Sequence, residues 1–222
     1  LSAIFRDVAR YVEYLMNCGF SEVTWKARSE GDEKPGLPWK DLIAVEKEAA
    51  SCVKCGLAHS RTQVVFGVGN PHAHLLFIGE APGREEDLQG EPFVGRAGQL
   101  LTRIIEAIGM RREDVYIANV VKCRPPGNRN PRPDEIAACA PYLQAQIAFI
   151  KPRVICALGN FAAQALLGTE EKISALRGRF HRYQGIPVMP TYHPAYLLRN
   201  PNEKRAVWED MQLVQKLCRQ GQ

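Results

Sequence analysis

The sequence predicts an α/β protein with three layers, α/β/α, built around a central four-stranded parallel sheet. From Leu75 onward, four short apolar runs alternate with segments of helical periodicity. Near-continuous apolar strands separated by helices are typical of a parallel sheet that is covered on both faces. The chain has 222 residues, 45% of them hydrophobic, which is enough for one well-buried domain.

The predicted strands are the four apolar runs, at residues 75–79, 115–121, 154–159 and 186–192. The predicted helices have apolar side chains at every third or fourth position, and they cover residues 41–50, 97–108, 133–150, 160–167 and about 203–217. Pro133 suits the first position of its helix, because proline lacks the N–H that the first turn leaves unpaired. A helix therefore follows each strand, as parallel connections require.

Residues 1–38 are predicted to form a helical N-terminal extension and linker, ahead of a domain at residues 39–222. Apolar residues recur at helical spacing from Ile4 to Leu15, and GDEKPGLPW at 31–39 is typical of a polar, turn-rich linker. The sequence does not assign a role to this extension, and docking on the domain and recruitment of a partner both stay open. With no signal peptide and no apolar run long enough for a bilayer, we expect a cytoplasmic protein without membrane contact.

The net charge is +5, and basic residues concentrate in two loops. The clusters are Arg124, Arg129 and Arg132 in one loop and Arg177, Arg179 and Arg182 in the other. Few acids accompany them, so each loop suits either a phosphate backbone or an ordinary solvated surface. Charge alone favours neither interpretation.

Polar side chains follow the ends of the predicted strands, where open α/β sheets bind their ligands. The strand ends carry Gly79–Ala81, Asn119, Gly159–Asn160 and His193, and Phe93 lies in the acidic loop after the first strand. Singly, these residues suit ordinary roles as caps or core side chains. Together they predict a pocket for a flat polar ring, with an amide for a nucleobase edge, an aromatic for stacking and a histidine for a developing anion.

Seven cysteines in a chain of this kind argue against a disulfide framework and leave metal binding or burial. Cys52 and Cys55 form a CxxC pair. Cys123 follows a predicted strand, and Cys139 lies in a predicted helix. Four thiolates of this kind suit either a tetrahedral zinc ion or a [4Fe–4S] cluster, and their spacing does not separate the two. The remaining three, Cys18, Cys156 and Cys218, are predicted to be buried cysteines without a ligand role.

Three motifs carry a resemblance to a known family. They are GEAPGREEDLQGEPFVGRAGQLL from Gly79, NVVKCRPPGNRNP from Asn119 and HPAYLLR from His193. Together with the four cysteines they closely resemble the family 4 uracil-DNA glycosylases, which are iron–sulfur enzymes, over residues 52–217. The resemblance implies a four-stranded parallel sheet between helices, in agreement with the strand and helix pattern.

The resemblance also implies roles for individual residues. Cys52, Cys55, Cys123 and Cys139 match the ligands of a [4Fe–4S] cluster, which favours iron–sulfur over zinc. Phe93 matches the aromatic that stacks on the flipped uracil, Asn119 the amide that reads its edge, and His193 the histidine beside O2. Glu80 matches the motif that shapes the water and sugar side of the site, and its neighbours in that site are Gly79, Ala81, Glu86 and Asn128. Leu197 corresponds in place to the DNA wedge, with Leu198 as the second candidate.

One position departs from the wider superfamily. Family 1 relatives have an aspartate that positions the attacking water at the place of Ala81. The candidates for shaping the water side here are Glu80, Glu86, Asp87 and Asn128. Neighbouring residues of an extended segment point in opposite directions, so Glu80 is not a simple replacement for that aspartate.

The function implied is that of a monomeric DNA repair enzyme acting on uracil-containing DNA, single- or double-stranded. It would flip uracil out and hydrolyse the N-glycosidic bond to leave an abasic site. Three alternatives stay open. A covalent uracil-capturing protein would need a loop histidine, which the segment after Asn119 lacks. A non-enzymatic metal-containing DNA-binding module would bind without excision, and a thiol oxidoreductase would use Cys52 and Cys55.

Overall fold

A computed structural model describes residues 37–219 and confirms the predicted α/β/α architecture. The chain divides into two units, Leu1–Pro38 and Trp39–Gln222. The predicted N-terminal helix lies outside the described residues. No helix within residues 37–219 has the length and apolar content needed to cross a bilayer.

The helices predicted within residues 39–222 are present, and three short helices of four to six residues were not predicted. The helices are α1 Leu42–Ala50, α2 Arg84–Gln89, α3 Arg96–Ala107, α4 Pro133–Ile150, α5 Asn160–Leu167, α6 Ile173–Leu176, α7 Pro194–Arg199 and α8 Lys204–Arg219. Short 3₁₀ turns occur at Gly56–His59, Arg112–Asp114, Pro126–Asn128 and Pro201–Glu203. Asp41 caps α1 by accepting the Ala44 N–H at 2.8 Å, which satisfies one of the donors a helix start leaves unpaired.

Within residues 37–219 the sheet has six strands, and its four central strands are parallel. The strands are β1 Val68–Gly69, β2 Leu75–Gly79, β3 Tyr116–Asn119, β4 Val154–Leu158, β5 His181–Tyr183 and β6 Ile186–Thr191, in the order β1-β3-β2-β4-β6-β5. The predicted parallel core of β3, β2, β4 and β6 is confirmed. Two short antiparallel edge strands, β1 and β5, add to it and were not predicted.

The edge strand β5 forms a hairpin with β6. Its turn consists of Gln184 and Gly185, which have φ values of 49° and 86°. Positive φ at both central residues is the geometry of the tight turns that join two twisted strands. A strand of three residues, all polar or half-buried, has no apolar run by which the sequence would reveal it.

The sheet separates two apolar cores. One packs α1, α4 and α5 on the face that holds Leu76, Ile78 and Ile155. The other packs α3, α7 and α8 on the face that holds Phe77 and Cys156. Alternate side chains of each strand therefore point to opposite layers, as a strand covered on both faces requires.

Candidate active site and cysteine centre

A cavity lies at the carboxyl ends of the parallel strands. Its empty space is about 1110 Å³, including the part that opens to solvent. The register pairs Gly79 with Asn119, so the ends of β2 and β3 lie side by side. The cavity is lined by residues of both strand ends and the following loops, among them Glu80, Ala81, Glu86, Phe93, Asn119, Asn128 and His193. The structure thus brings Glu80, Ala81, Phe93, Asn119 and His193 together, whereas Gly159 and Asn160 are not among the residues that line the cavity.

Asn119 is the last residue of β3 and contributes a buried amide to the cavity. The residue is 2% exposed, yet its side-chain Oδ1 has no hydrogen-bond partner among residues 37–219. A buried polar atom left unpaired costs about 1–3 kcal/mol. At the wall of a cavity, this acceptor is accessible to a donor that enters the cavity.

Phe93 lies against Asn119 in an unusual backbone conformation. Its φ is 56°, in the left-handed region, and it is 6% exposed. A Cβ at Gly79 would lie 2.4 Å from Asn119 Oδ1 and 2.5 Å from Phe93 Cζ. Glycine at this strand end is therefore needed to bring the aromatic ring and the amide together.

The conformation of Phe93 is also fixed by helix α3. A Cβ at Gly98 would lie 1.8 Å from the Phe93 carbonyl oxygen, so this helix packs directly on the loop backbone. Helix α3 begins at Arg96, so Gly98 lies in its first turn. A side chain at this position would clash with the Phe93 backbone, and the motif therefore needs glycine there. The Phe93 ring also lies 5.4 Å from the His193 ring, tilted by 31°.

His193 is held as a neutral imidazole with a defined tautomer. It is the N-cap of α7, and its Nδ1 accepts the Ala195 N–H at 3.1 Å. Burial lowers the pKa of His193 to about 4, and the nearby Arg199 charge acts in the same direction. The proton of the neutral ring therefore lies on Nε2, which becomes a hydrogen-bond donor.

Glu80 follows β2 and has no carboxylate neighbour at Ala81. Its carbonyl accepts the Val121 N–H at 3.1 Å, so the backbone here stays extended beside the end of β3. Burial raises the pKa of Glu80 to about 7. This carboxyl therefore changes its charge near neutral pH.

Glu86 organises the acidic loop, a role that the sequence did not reveal. Its Oε2 accepts the Gly83 N–H at 3.1 Å, and its Oε1 accepts the N–H groups of Val94 and Gly95 at 3.0 and 3.1 Å. One carboxylate therefore closes the loop on both sides of Phe93. Its neighbour Asp87 is buried and accepts from the Thr62 N–H and hydroxyl at 2.9 and 2.8 Å.

The arginine clusters are partly occupied by structural ion pairs. Arg129 and Arg132 both bind Glu135, which is fully buried, at 2.6 and 3.1 Å. The pKa of Glu135 is lowered to about 2. The side-chain hydrogen bond from Arg129 is the largest cause, and the hydrogen bond from the Arg132 backbone adds a smaller effect in the same direction. In the second loop, Arg177 binds the buried Asp210 at 2.9 Å. These side chains hold loops and helices in place, so the free positive charge is smaller than the sequence indicated.

Asn128 and the two wedge candidates, Leu197 and Leu198, differ in their contacts and in their exposure to solvent. Asn128 lines the cavity with its Oδ1 accepting from Arg124 Nε at 2.7 Å. Leu197 is 1% exposed and packs in the core that α7 covers. Leu198, the next residue of the helix, is 37% exposed. Helical geometry explains the difference, since adjacent residues face different sides.

The four cysteines surround one cavity between the end of α1 and the start of α4. This cavity has an empty space of about 310 Å³ and is lined by Cys52, Cys55, Cys123 and Cys139. Arg61 donates to Cys123 Sγ at 3.5 Å and to the Cys52 carbonyl at 2.7 Å. Charge-assisted donors of this kind are typical of the surroundings of metal-bound thiolates.

The cysteine centre has no preformed site for a single metal ion among the described residues. Within residues 37–219, no three Cys, His, Asp or Glu side chains converge closely enough to hold a single metal ion. Thiolates around one zinc lie about 2.3 Å from the ion. Both a zinc ion and a [4Fe–4S] cluster can be held by four thiolates. Among the other cysteines, Cys156 is buried in β4 as predicted, and Cys18 lies outside the described residues.

Comparisons with known proteins agree with this site. Residues 66–212 match the sequence model of the uracil DNA glycosylase superfamily. A type-4 uracil-DNA glycosylase of Archaeoglobus fulgidus is 45% identical, over 81% of this chain and 94% of its own length. Those of Thermotoga maritima and Saccharolobus solfataricus are 51% and 48% identical, over 76% and 79% of this chain and 90% and 85% of their own lengths. The chain therefore belongs to the uracil-DNA glycosylase superfamily. The similar relatives are of its type 4, as the motifs predicted.

Proposed function

We propose that the cavity binds a flipped uracil stacked on Phe93, with Asn119 reading its pairing edge and His193 beside its O2. Uracil excision from DNA is the activity of this superfamily, and the chain is a DNA repair glycosylase. The observation that carries the recognition proposal is the buried, unpartnered Oδ1 of Asn119. The N3–H of uracil is the donor it needs, and the amide nitrogen can then donate to O4.

The same amide explains the rejection of cytosine. Cytosine has an acceptor at N3, which would face the Oδ1 acceptor, and donors on N4, which would face the amide N–H. Each buried group left unpaired costs about 1–3 kcal/mol. Sites built around such hydrogen bonds therefore discriminate strongly against the mismatched base.

Extrusion of the base precedes the chemistry, because the glycosidic bond is inaccessible in the stack. Leu198, exposed on α7, is our candidate for the side chain that fills the emptied position. The start of α3, where backbone N–H groups are unpaired, suits a phosphate oxygen. Uracil pairs weakly or lies opposite guanine, which lowers the energy of flipping.

Bond cleavage places charge where the cavity can stabilise it. The C1′–N1 bond breaks with its electron pair moving to uracil, and the sugar gains oxocarbenium character. The Nε2–H of His193 donates to the developing anion at O2. Water then adds to C1′ and loses a proton to solvent. The charged form of Glu80 favours the cationic sugar, with the water itself held passively.

This role for Glu80 makes a prediction about pH. Because the carboxylate form exists mainly above the pKa of about 7, kcat/KM should rise as pH increases through that value. Glu80→Gln should flatten this rise, and it should reduce excision less than Asn119→Ala or His193→Ala. Single-turnover excision across a pH series measures both effects.

The histidine provides the internal control for that profile. The pKa of His193 is about 4, so its titration lies far from the step assigned to Glu80. A profile that still rises through neutrality in Glu80→Gln would contradict the assignment. A Glu80→Gln enzyme less active than both other variants would show that the carboxylate activates water directly.

We propose that the four cysteines hold a [4Fe–4S] cluster. The support is the shared cavity, the charge-assisted donor from Arg61 and the resemblance to the iron–sulfur family. A bound cluster would link the CxxC segment to β3 and α4, as structural metals link distant segments. None of the chemical steps at the uracil cavity requires it.

Cys123→Ser should then lower thermal stability and remove the visible absorption of the protein. The Tm should fall by several degrees, since roughly 1 kcal/mol corresponds to about 2–4 °C in domains of about 150–250 residues. Differential scanning calorimetry and visible absorption measure the two effects together. Cys218→Ser is the matched control and should keep both. A Cys123→Ser protein with unchanged colour would contradict the cluster proposal.

The activity itself is tested with uracil-containing oligonucleotides, single- and double-stranded, followed by alkaline cleavage of abasic sites. We expect excision with turnover by a monomer, and none from matched cytosine or thymine oligonucleotides. A covalent protein–DNA adduct that survives denaturation would instead favour capture. DNA binding without any excision would favour a binding module. The cytoplasmic setting stays a prediction of the sequence.

A further inference from the structure

Lys122 is a fully buried lysine directly behind the recognition amide. The residue is 1% exposed, and its Nζ donates to the Asn119 carbonyl at 2.7 Å and to Gln146 Oε1 at 2.5 Å. The Phe66 ring lies 5.9 Å from the same Nζ. Two acceptors and an aromatic face therefore surround an amine that no solvent reaches.

Gln146 fixes the far side of this network. Its Nε2 donates to the Phe66 carbonyl at 2.9 Å, which orients its Oε1 toward Lys122. Gln146 belongs to α4, the helix that also carries Cys139. The Lys122 backbone N–H donates to Cys139 Sγ at 3.3 Å. One residue thus contacts both the peptide of Asn119 and a thiol of the cysteine centre.

A buried amine is a costly way to fill space. Burying a lysine without partners is strongly unfavourable, and an apolar side chain of similar length would pack there without that cost. The strand β3 ends at Asn119, and the Val120 N–H on the far side of the same peptide donates to the Gly79 carbonyl at 2.9 Å. The Lys122 donor holds the carbonyl of Asn119 and limits rotation of the peptide that carries the amide.

We propose that Lys122 is a positioning residue for uracil recognition, acting through Asn119. It does not touch the base. It fixes the backbone from which the Asn119 side chain projects, and it ties that backbone to α4. This proposal rests on the recognition role of Asn119 proposed above.

The test is a double-mutant cycle of Lys122→Met and Asn119→Ala. Single-turnover excision of uracil is measured for the wild type, both single variants and the double variant. We expect Lys122→Met to reduce the rate at least about tenfold, since small misplacements of a positioned group have effects of this order or larger. In the Asn119→Ala background, Lys122→Met should lower the excision rate by less than about threefold, because the effects of coupled residues are not additive.

Two further measurements separate positioning from a general loss of stability. Lys122→Met should bind abasic DNA as tightly as the wild type does, because the buried Lys122 side chain makes no contact with DNA phosphates. Ile155→Val, a change in the same core away from Asn119, should lower the Tm and leave the excision rate unchanged. If Lys122→Met does not fold, Gln146→Met replaces it in the cycle, because it removes the acceptor that orients Lys122.

An equal reduction by Lys122→Met in both backgrounds would overturn the proposal, and so would a wild-type rate in Lys122→Met. A parallel loss of abasic-DNA binding would assign Lys122 a structural role only and would also overturn it. A wild-type rate in Asn119→Ala would contradict the recognition role proposed for Asn119, and the positioning role proposed for Lys122 would fail with it. The single Asn119 variant therefore distinguishes the two failures.

Discussion

Asn119→Ala is expected to lower kcat/KM for uracil excision by about 100- to 1000-fold. A site that reads a base by buried hydrogen bonds loses both recognition and transition-state stabilisation when the reading group is removed. In the proposed site, the unpartnered Oδ1 is the acceptor for the uracil N3–H. Steady-state and single-turnover excision from a uracil–guanine duplex measure the change, with thermal unfolding to confirm the fold.

Asn128→Ala provides the matched control for that prediction. The same truncation is made in the same cavity, but the Asn128 Oδ1 is already paired with Arg124. We expect a reduction of less than about tenfold, within the range of an ordinary hydrogen bond. A larger loss in Asn128→Ala than in Asn119→Ala would show that the recognition amide has been misassigned.

Gly79→Ala is expected to reduce excision by about 100-fold while the protein still folds. The added Cβ would approach the side chains of Asn119 and Phe93 to 2.4 and 2.5 Å, so the stacking and reading groups must both move. Displacements of about 1 Å in positioned groups have effects of this size. Excision kinetics, together with circular dichroism and a melting curve, measure the result.

Gly56→Ala is the control for this second prediction. A Cβ at Gly56 makes only one ordinary contact, at 3.8 Å from the Arg132 side chain. It should leave the rate within about twofold of the wild type, as surface substitutions usually do. Wild-type excision by Gly79→Ala would mean that Phe93 and Asn119 do not act together on the base.

The sequence predicted the core of the fold because its signals are local. The helices Pro133–Ile150 and Asn160–Leu167 begin and end where the periodicity placed them. The four parallel strands are buried on both faces and are therefore continuous apolar runs. The strands at Val68–Gly69 and His181–Tyr183 were missed, because they are too short and too polar to carry that signal.

The site was predictable where position on a strand determines it. Asn119 and His193 follow strands, so their meeting at one edge follows from parallel topology. The network of Glu86 depends on how a loop folds back on itself, and periodicity carries no information about it. The burial of Leu197 depends on the rotation of α7, a helix of six residues too short to show a periodic face.

Lys122 and the arginine pairs were missed for another physical reason. Some of their partners are distant in the chain, and others are buried only once the chain has folded. Gln146, for example, is 24 residues from Lys122. A basic residue in a motif is equally compatible with a phosphate contact and with a buried bond. Only the three-dimensional contacts show that Arg129 binds Glu135 and Arg177 binds Asp210.

The central claim is that Asn119 Oδ1 accepts the N3–H of uracil, and a crystal structure with bound uracil tests it most directly. The expected result is a distance of about 2.7–3.2 Å between Asn119 Oδ1 and uracil N3, with the base stacked on Phe93. Uracil bound in the cavity with Oδ1 still unpartnered, or with a different edge facing Asn119, would contradict it.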